Sequence, residues 1–185
     1  MVKKNCCVFI SGKGTNLLAL IRSSRSYNFP INIKLIISNR KNAKGILLAK
    51  KFSIPFKIID QKNKLNELEV INELKKNKIS IICLAGYMNI LPKKFIKGFN
   101  GKIINIHPSL LPKYKGLDTF SRVLKFKEKS TGCTVHYVNE KLDSGKIILK
   151  KKIFISSKDN KETLKKKVQK KEYIAFSEAL FKIYN

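Results

Sequence analysis

Residues 6–24 read CCVFISGKGTNLLALIRSS, and this stretch decides the fold. Cys6–Ile10 is an apolar run without alternation, the pattern of a strand buried on both faces. Ser11–Gly14 is a turn signal. Asn16–Ser24 follows as a helix, and Asn16 is a residue type that caps helix starts. A buried strand, a glycine turn and a helix in so few residues open a strand–helix–strand unit.

The same rhythm continues downstream. Ile31–Ser38 reads as a second strand, Ala43–Phe52 as a short helix and Phe56–Asp60 as a third strand. Leu65–Lys76 spaces Leu65, Leu68, Ile71 and Leu74 three apart, a helical stripe. Ile79–Ala85 is the most apolar strand and is expected at the centre. Pro92 starts a short helix over Lys93–Lys97, its fixed φ suiting a first turn. Lys102–His107 is a fifth strand. Such alternation predicts a mostly parallel sheet covered by helices. Beyond residue 110 the rhythm changes. Leu110–Gly116 is a loop bounded by Pro and Gly. Gly132–Val138 and Lys146–Ile155 read as an antiparallel pair, and Asp159–Tyr184 as a long helix with Leu164, Val168, Ile174, Leu180 and Ile183 among its apolar positions. With no break in composition, one domain over 1–185 is expected.

Composition narrows the classes. The chain has 185 residues, 43% hydrophobic and 28% charged, ordinary for a globular protein and unlike a disordered one. Its net charge of +28 is not ordinary. Lys supplies 36 of the 40 basic residues and Arg only 4, and Lys, Ile and Asn together fill 77 positions. Those three share A/T-rich codons, whereas phosphate readers favour the forked guanidinium. The Lys excess is spread along the whole chain, so no specific nucleic-acid partner is expected. No apolar run reaches membrane-spanning length, and the basic start before Cys6 has no signal-peptide pattern. The four cysteines, Cys6, Cys7, Cys83 and Cys133, lack CxxC spacing and read as buried thiols of a cytoplasmic protein.

In open α/β sheets ligands bind beyond the carboxyl ends of the strands, and three polar clusters fall there. Ser11–Asn16 (SGKGTN) opens a helix; Gly12 and Gly14 let backbone approach a ligand, and the helix start offers N–H groups to a phosphate. Its spacing is that of neither dinucleotide nor P-loop motifs, and a plain tight turn is an equal reading. Asn105-Ile106-His107-Pro108-Ser109 puts Asn105 and His107 on one face of a strand end. Such a pair serves as acid and oxyanion donors, or as a structural histidine with its neighbour. Leu142-Asp143-Ser144-Gly145 supplies a carboxylate in a turn. Asn, His and Asp could form an acyl-transfer constellation; no nucleophile elbow, placed nucleophilic cysteine or metal-ligand spacing appears, so direct transfer between two bound substrates is the natural alternative.

Ile10–Leu17 (ISGKGTNL), Leu84–Leu91 (LAGYMNIL), Asn105–Tyr114 (NIHPSLLPKY), Gly132–Tyr137 (GCTVHY) and Leu142–Gly145 (LDSG) together resemble the glycinamide ribonucleotide formyltransferases, folate-dependent enzymes of purine synthesis. The resemblance implies a single Rossmann-like formyltransferase domain over 1–185, with a phosphate-side half to about residue 100 and a catalytic, folate-side half after it. It implies formyl transfer from 10-formyltetrahydrofolate, a co-substrate, to the amine of 5-phosphoribosyl-glycinamide, without a metal. Asn105, His107 and Asp143 match the catalytic trio. Gly14, Thr15, Asn16, Gln169 and Glu172 match the ribonucleotide site. Met88, Asn89, Ile90 and Leu91, with Asn105 and the loop Asn139, Glu140, Lys141, Leu142 and Asp143, match the folate site. A cis Leu111–Pro112 peptide, small-molecule partners and a monomer or homodimer also follow.

Some positions depart from the family pattern. Asn89 stands where Arg is usual, Asp118 where His is common, Thr15 for Ser and Lys115 for Pro. Lys62 or Lys64 is expected to take the place of an Arg at the folate tail. The family's short tail after the last helix is lacking, which reads either as reductive trimming or as truncation of the sequence. A methionyl-tRNA formyltransferase would need a further RNA-binding domain, and a formyltetrahydrofolate deformylase an N-terminal one. A basic nucleic-acid-binding domain would leave the trio unexplained.

Overall fold

The apolar run at the start of the chain forms β1 (Lys4–Ile10), whose residues from Cys6 onward are completely buried. In the computed structural model, which describes residues 2–59 and 67–185, the remaining elements follow in alternation. They are α1 (Thr15–Ser24), β2 (Ile31–Ser38), α2 (Gly45–Lys51), β3 (Phe56–Ile58), α3 (Glu67–Lys76), β4 (Ile81–Leu84) and α4 (Lys93–Gly98). Then come β5 (Lys102–His107), α5 (Thr119–Lys125), β6 (Ser130–Tyr137), β7 (Ile147–Phe154) and α6 (Lys161–Tyr184). The strands form one mixed seven-stranded sheet in the order β3-β2-β1-β4-β5-β6-β7. As expected for the most apolar strand, β4 is its middle member. By internal contacts the chain divides into two compact units, Met1–Ile104 and Asn105–Asn185.

In the first unit β1 pairs in parallel with both β2 and β4, and β2 with β3. A strand flanked on both edges and covered on both faces has no polar side, which is why CCVFI shows no alternation. The four cysteines are free and buried; Cys6 and Cys83 sit with their sulfurs 3.6 Å apart. Three local expectations need correction. Asn16 does not cap α1: Gly14 holds that position at φ +75° with no side-chain cap, so the left-handed turn, which favours glycine, overrides capping chemistry. Along α3, Leu68 is 73% exposed; Leu74 is buried as expected, and Val70 rather than Leu68 joins it on the core side. A four-residue step tracks one helix face better than strict triplets, and each buried side chain is worth about 1.5–3 kcal/mol. Asp60, Lys62, Lys64 and Leu65 lie outside the described residues. Pro92 is the N-cap of α4 rather than part of its first turn.

In the second unit β6 and β7 are antiparallel, as their separation by a polar turn predicted. β7 is an outer strand of the sheet, and its pattern differs from that of β1. From Leu149 onward half-buried and exposed residues alternate, and Lys150 and Lys152 point to solvent. α6 packs on this pair through Leu164, Val168, Ala175, Phe176, Ala179 and Leu180. Ile174, expected on that face, is half exposed; Ala175 and Phe176 fill the space instead. The helix begins two residues later than the sequence suggested. Asn160 caps it with bonds from the Glu162 and Thr163 N–H groups, and Thr163 closes a capping box. The short helix α5 was not foreseen, because TFSRVLK offers less than two turns of periodicity.

Candidate active site

Asn105 and His107 stand at the end of β5 and, being two residues apart, face the same way. Asp143 reaches them from the turn between β6 and β7. His107 Nδ1 lies 3.3 Å from Asp143 Oδ2, and Asn105 Nδ2 lies 3.4 Å from Oδ1. The carboxylate side chain is 7% exposed and the His107 side chain 6%. The sequence-derived trio therefore converges within one unit. The sequence reading missed a fourth member. His136 of β6 is 2% exposed, and its Nε2 sits 3.3 Å from Asn105 Nδ2 and 3.6 Å from Asp143 Oδ1. Its signal was the count of two histidines together with strand alternation.

Short bonds to the backbone hold these groups from outside. His107 Nε2–H donates to the Tyr114 carbonyl at 2.8 Å, His136 Nδ1–H to the Tyr137 carbonyl at 2.8 Å, and the Gly116 N–H to Asp143 Oδ2 at 2.9 Å. Carbonyls only accept, so each of these ring nitrogens carries a proton. His136 then presents a lone pair to the Asn105 amide. His107 turns its Nδ1 to a carboxylate, an arrangement that suits the doubly protonated ring. The contacts among the four side chains run from 3.3 to 3.6 Å, longer than a good hydrogen bond. Backbone anchors fix the rings, while the inward contacts remain exchangeable.

The electrostatics follow. Burial works to raise the Asp143 pKa, but contact with His136, the Gly116 N–H and the charge of His107 outweigh it and bring it to about 2. For His107, burial dominates and lowers the pKa below its ordinary 6.5; the Tyr114 carbonyl and Asp143 oppose it, while His136 and Arg122 add to it. Asp143 is thus a permanent anion near neutrality, beside a ring that gains a proton when negative charge develops next to it.

The segment after β5 carries these anchors and is itself unusual. Leu111–Pro112 is cis, as the resemblance implied. Thr134 of β6 donates to the Ser109 carbonyl and accepts from the Leu111 N–H, and Ser109 donates to the Lys113 carbonyl. Tyr114 and Asp118 have φ of +57° and +52°, and Asp143 itself +44°. Each such residue costs on the order of 1–2 kcal/mol and persists only where its surroundings fix it. Asp118, where His is common in the family, accepts from Lys161 and Ser121. A cleft of about 120 Å³ lined by Leu111, Pro112, Lys115, Asp143, Ser144, Gly145 and Ile147 opens onto the carboxylate. That volume suits a small group rather than a whole cofactor. A larger cleft of about 310 Å³ shares Leu111 and Pro112 but includes none of the trio.

The other expected binding residues fall as follows. Asn139, Glu140, Lys141 and Leu142 form an exposed turn, in which Asn139 Oδ1 accepts the Lys141 N–H. On α6, Gln169 is half-buried and Glu172 buried, close enough to Cys133 to help burial push that thiol up to about 12. In the first unit, Gly14, Thr15 and Asn16 begin α1. Gly14 needs its lack of a side chain for packing, since a Cβ there would stand 2.7 Å from Gly45 Cα. Gly12 instead faces open space. Met88, Asn89, Ile90 and Leu91 follow β4. The Met88 N–H is already donated to Ser11 Oγ at 2.8 Å, and Leu91 is buried, whereas Met88 and Ile90 expose their side chains. Among the described residues no cluster of His, Cys, Asp or Glu is placed to hold a metal ion, and no helix is long and apolar enough to cross a membrane.

Comparison with known proteins accords with this arrangement. Residues 4–180 match the formyl transferase family. The phosphoribosylglycinamide formyltransferase of Haemophilus influenzae is 42% identical over 174 residues, 92% of this chain and 82% of that protein. The trifunctional purine biosynthetic protein adenosine-3 of Gallus gallus is 41% identical over 96% of this chain, which spans only 18% of that longer protein. A crystal structure of phosphoribosylglycinamide formyltransferase from Anaplasma phagocytophilum matches with a TM-score of 0.92 at 35% identity, covering 97% of this chain and 85% of that one. The chain belongs to the formyl transferase family.

Proposed function

We propose that the protein moves a formyl group from 10-formyltetrahydrofolate to the amine of 5-phosphoribosyl-glycinamide, giving the N-formyl product and tetrahydrofolate, as a cytoplasmic enzyme of purine synthesis. The observation that carries this reading is the His107 Nδ1–Asp143 Oδ2 contact of 3.3 Å, joined by Asn105, in a member of this family. In the transfer the amine nitrogen bonds to the formyl carbon, the bond from that carbon to the folate nitrogen breaks, and one proton passes from the amine to the departing nitrogen.

Asn105 and His107 serve the intermediate between those events. Each exchanges a long inward contact for a hydrogen bond to the formyl oxygen as it becomes an oxyanion. Preformed donors of this kind contribute on the order of 3–4 kcal/mol each. Negative charge on that oxygen raises the His107 pKa from its lowered resting value, so the ring holds a proton when the proton is needed. Asp143, ionised down to about pH 2, stabilises the imidazolium and, with water, relays the proton to the leaving nitrogen.

Binding is assigned in two groups. Gly14, Thr15 and Asn16, with Gln169 and Glu172, take the ribonucleotide; the open face at Gly12 supports phosphate approach to the start of α1. The exposed apolar side chains of Met88 and Ile90, together with the 139–143 turn, take the folate. No metal takes part.

The test is a transfer assay with 10-formyltetrahydrofolate, with and without the amine acceptor. Acceptor-dependent release of tetrahydrofolate is expected, and His107→Ala should lower turnover about 10²–10⁴-fold with the fold retained. Release without the acceptor would mean a hydrolase. Turnover by the variant at the wild-type rate would remove His107 from the mechanism.

A further inference from the structure

Resting on the reading that His107 and Asp143 act together, we infer that Arg122 is a positioning residue, which clamps the 114–117 segment whose backbone holds that pair. The two anchors are the Tyr114 carbonyl, which receives His107 Nε2–H at 2.8 Å, and the Gly116 N–H, which binds Asp143 at 2.9 Å. The segment between them is not held by regular structure, and Tyr114 and Gly116 both have positive φ. Arg122 projects from α5 onto it. Its Nη1 donates to the Lys115 carbonyl at 2.7 Å and reaches toward the Leu117 carbonyl at 3.5 Å, while the guanidinium carbon lies 5.4 Å from the centre of the Tyr114 ring. One side chain therefore touches the residue bearing one anchor and brackets the residue bearing the other. Glu128 holds the far end of Tyr114 by accepting its hydroxyl at 2.8 Å.

The sequence carries an independent hint. Where a positive charge is all that is needed, this chain uses Lys, at 36 of its 40 basic positions. Arg persists at 122, where the guanidinium lies over a ring while one nitrogen reaches two carbonyls. A lysine ammonium is one bond short of the Nη1 position and has no plane to stack.

The groups facing His107 are the Tyr114 carbonyl from the loop, Asp143 from the β6–β7 turn, His136 from β6 and Arg122 from α5. Arg122 carries a permanent charge that opposes protonation of His107, so clamp and charge give separable signals.

The experiment compares wild type, Arg122→Lys and Arg122→Gln in two measurements. Formyl transfer is followed across pH, and the His107 ring is titrated by NMR in the free protein, where only two histidines give signals. Loss of the clamp should lower kcat about 10–100-fold in both variants, the range seen when outer groups that orient reacting residues are removed, with KM little changed. Arg122→Gln should also raise the His107 pKa, and Arg122→Lys should not. Wild-type kcat in both variants, or full rescue by Arg122→Lys, overturns the clamp. Should Arg122→Gln fail to fold, the kcat of Arg122→Lys decides alone. If the wild type itself transfers no formyl group, the proposed function fails. The clamp is then judged by whether the His107 titration and line shape change in the variants; unchanged spectra overturn it.

Discussion

The two units equip their strand ends in opposite ways. After β1 the first unit offers mainly backbone. Gly12 is open, Gly14 is packed against Gly45, and Ser11 spends its hydroxyl on the Met88 N–H. After β5 the second unit offers side chains. An amide, two imidazoles and a carboxylate are linked by contacts of 3.3 to 3.6 Å, each ring pinned to a carbonyl. A backbone surface recognises shape and charge without adding groups that titrate. A pinned polar cluster can move protons but accepts change poorly. The two strand ends thus differ in the kind of atom each presents.

That contrast can be broken at its strongest point first. Asp143→Asn keeps the shape but removes the charge that supports the imidazolium, and turnover should fall about 10²–10⁴-fold. The same substitution reports on acid stability. The Asp143 pKa is depressed from 3.8 to about 2. Its contribution is therefore complete above the unfolded value and disappears as pH falls through the folded one. The wild type should lose up to about 2 kcal/mol from this group between pH ~4 and ~2, and the variant should not. Urea midpoints at several acidic pH values check this; equally steep curves would contradict it.

On the other side, two glycines sharpen the comparison. Gly14→Ala should cost about 1–3 kcal/mol, because the new methyl meets Gly45 and the backbone is left-handed. Gly12→Ala, with no atom within 4 Å, should stay within about 0.5 kcal/mol of wild type and raise KM for the ribonucleotide instead. A thermal melt beside a substrate titration separates the two. A neutral Gly14→Ala would show that the loop yields where the packing says it cannot.

Much of this was legible in the sequence where local pattern and tertiary demand agree. CCVFI read as a doubly covered strand, and β2 and β5 came out residue for residue, because apolar runs between turn signals leave little freedom. Asn105, His107 and Asp143, singled out from their motifs, lie together in the structure. What escaped depended on the third dimension. Asn16 has cap chemistry, but the positive φ at Gly14 took the position. Leu68 and Ile174 are apolar yet face solvent, because which side of a helix meets the core is set by its neighbours. His136 had no motif of its own; only the approach of β6 to Asn105 and Asp143 gives it a role. Arg122 was hidden for the same reason, since its partners are backbone atoms that carry no letter in a sequence.

β7, with Lys150 and Lys152 turned outward on the last strand of the sheet, has a consequence for life in a crowded cell. An uncapped strand is a template on which another chain can extend the ladder. A second copy docking there in antiparallel fashion would bring ammonium groups opposite ammonium groups, at spacings where repulsion is felt. Whatever codon bias supplied these lysines, like charges at this border oppose such a ladder.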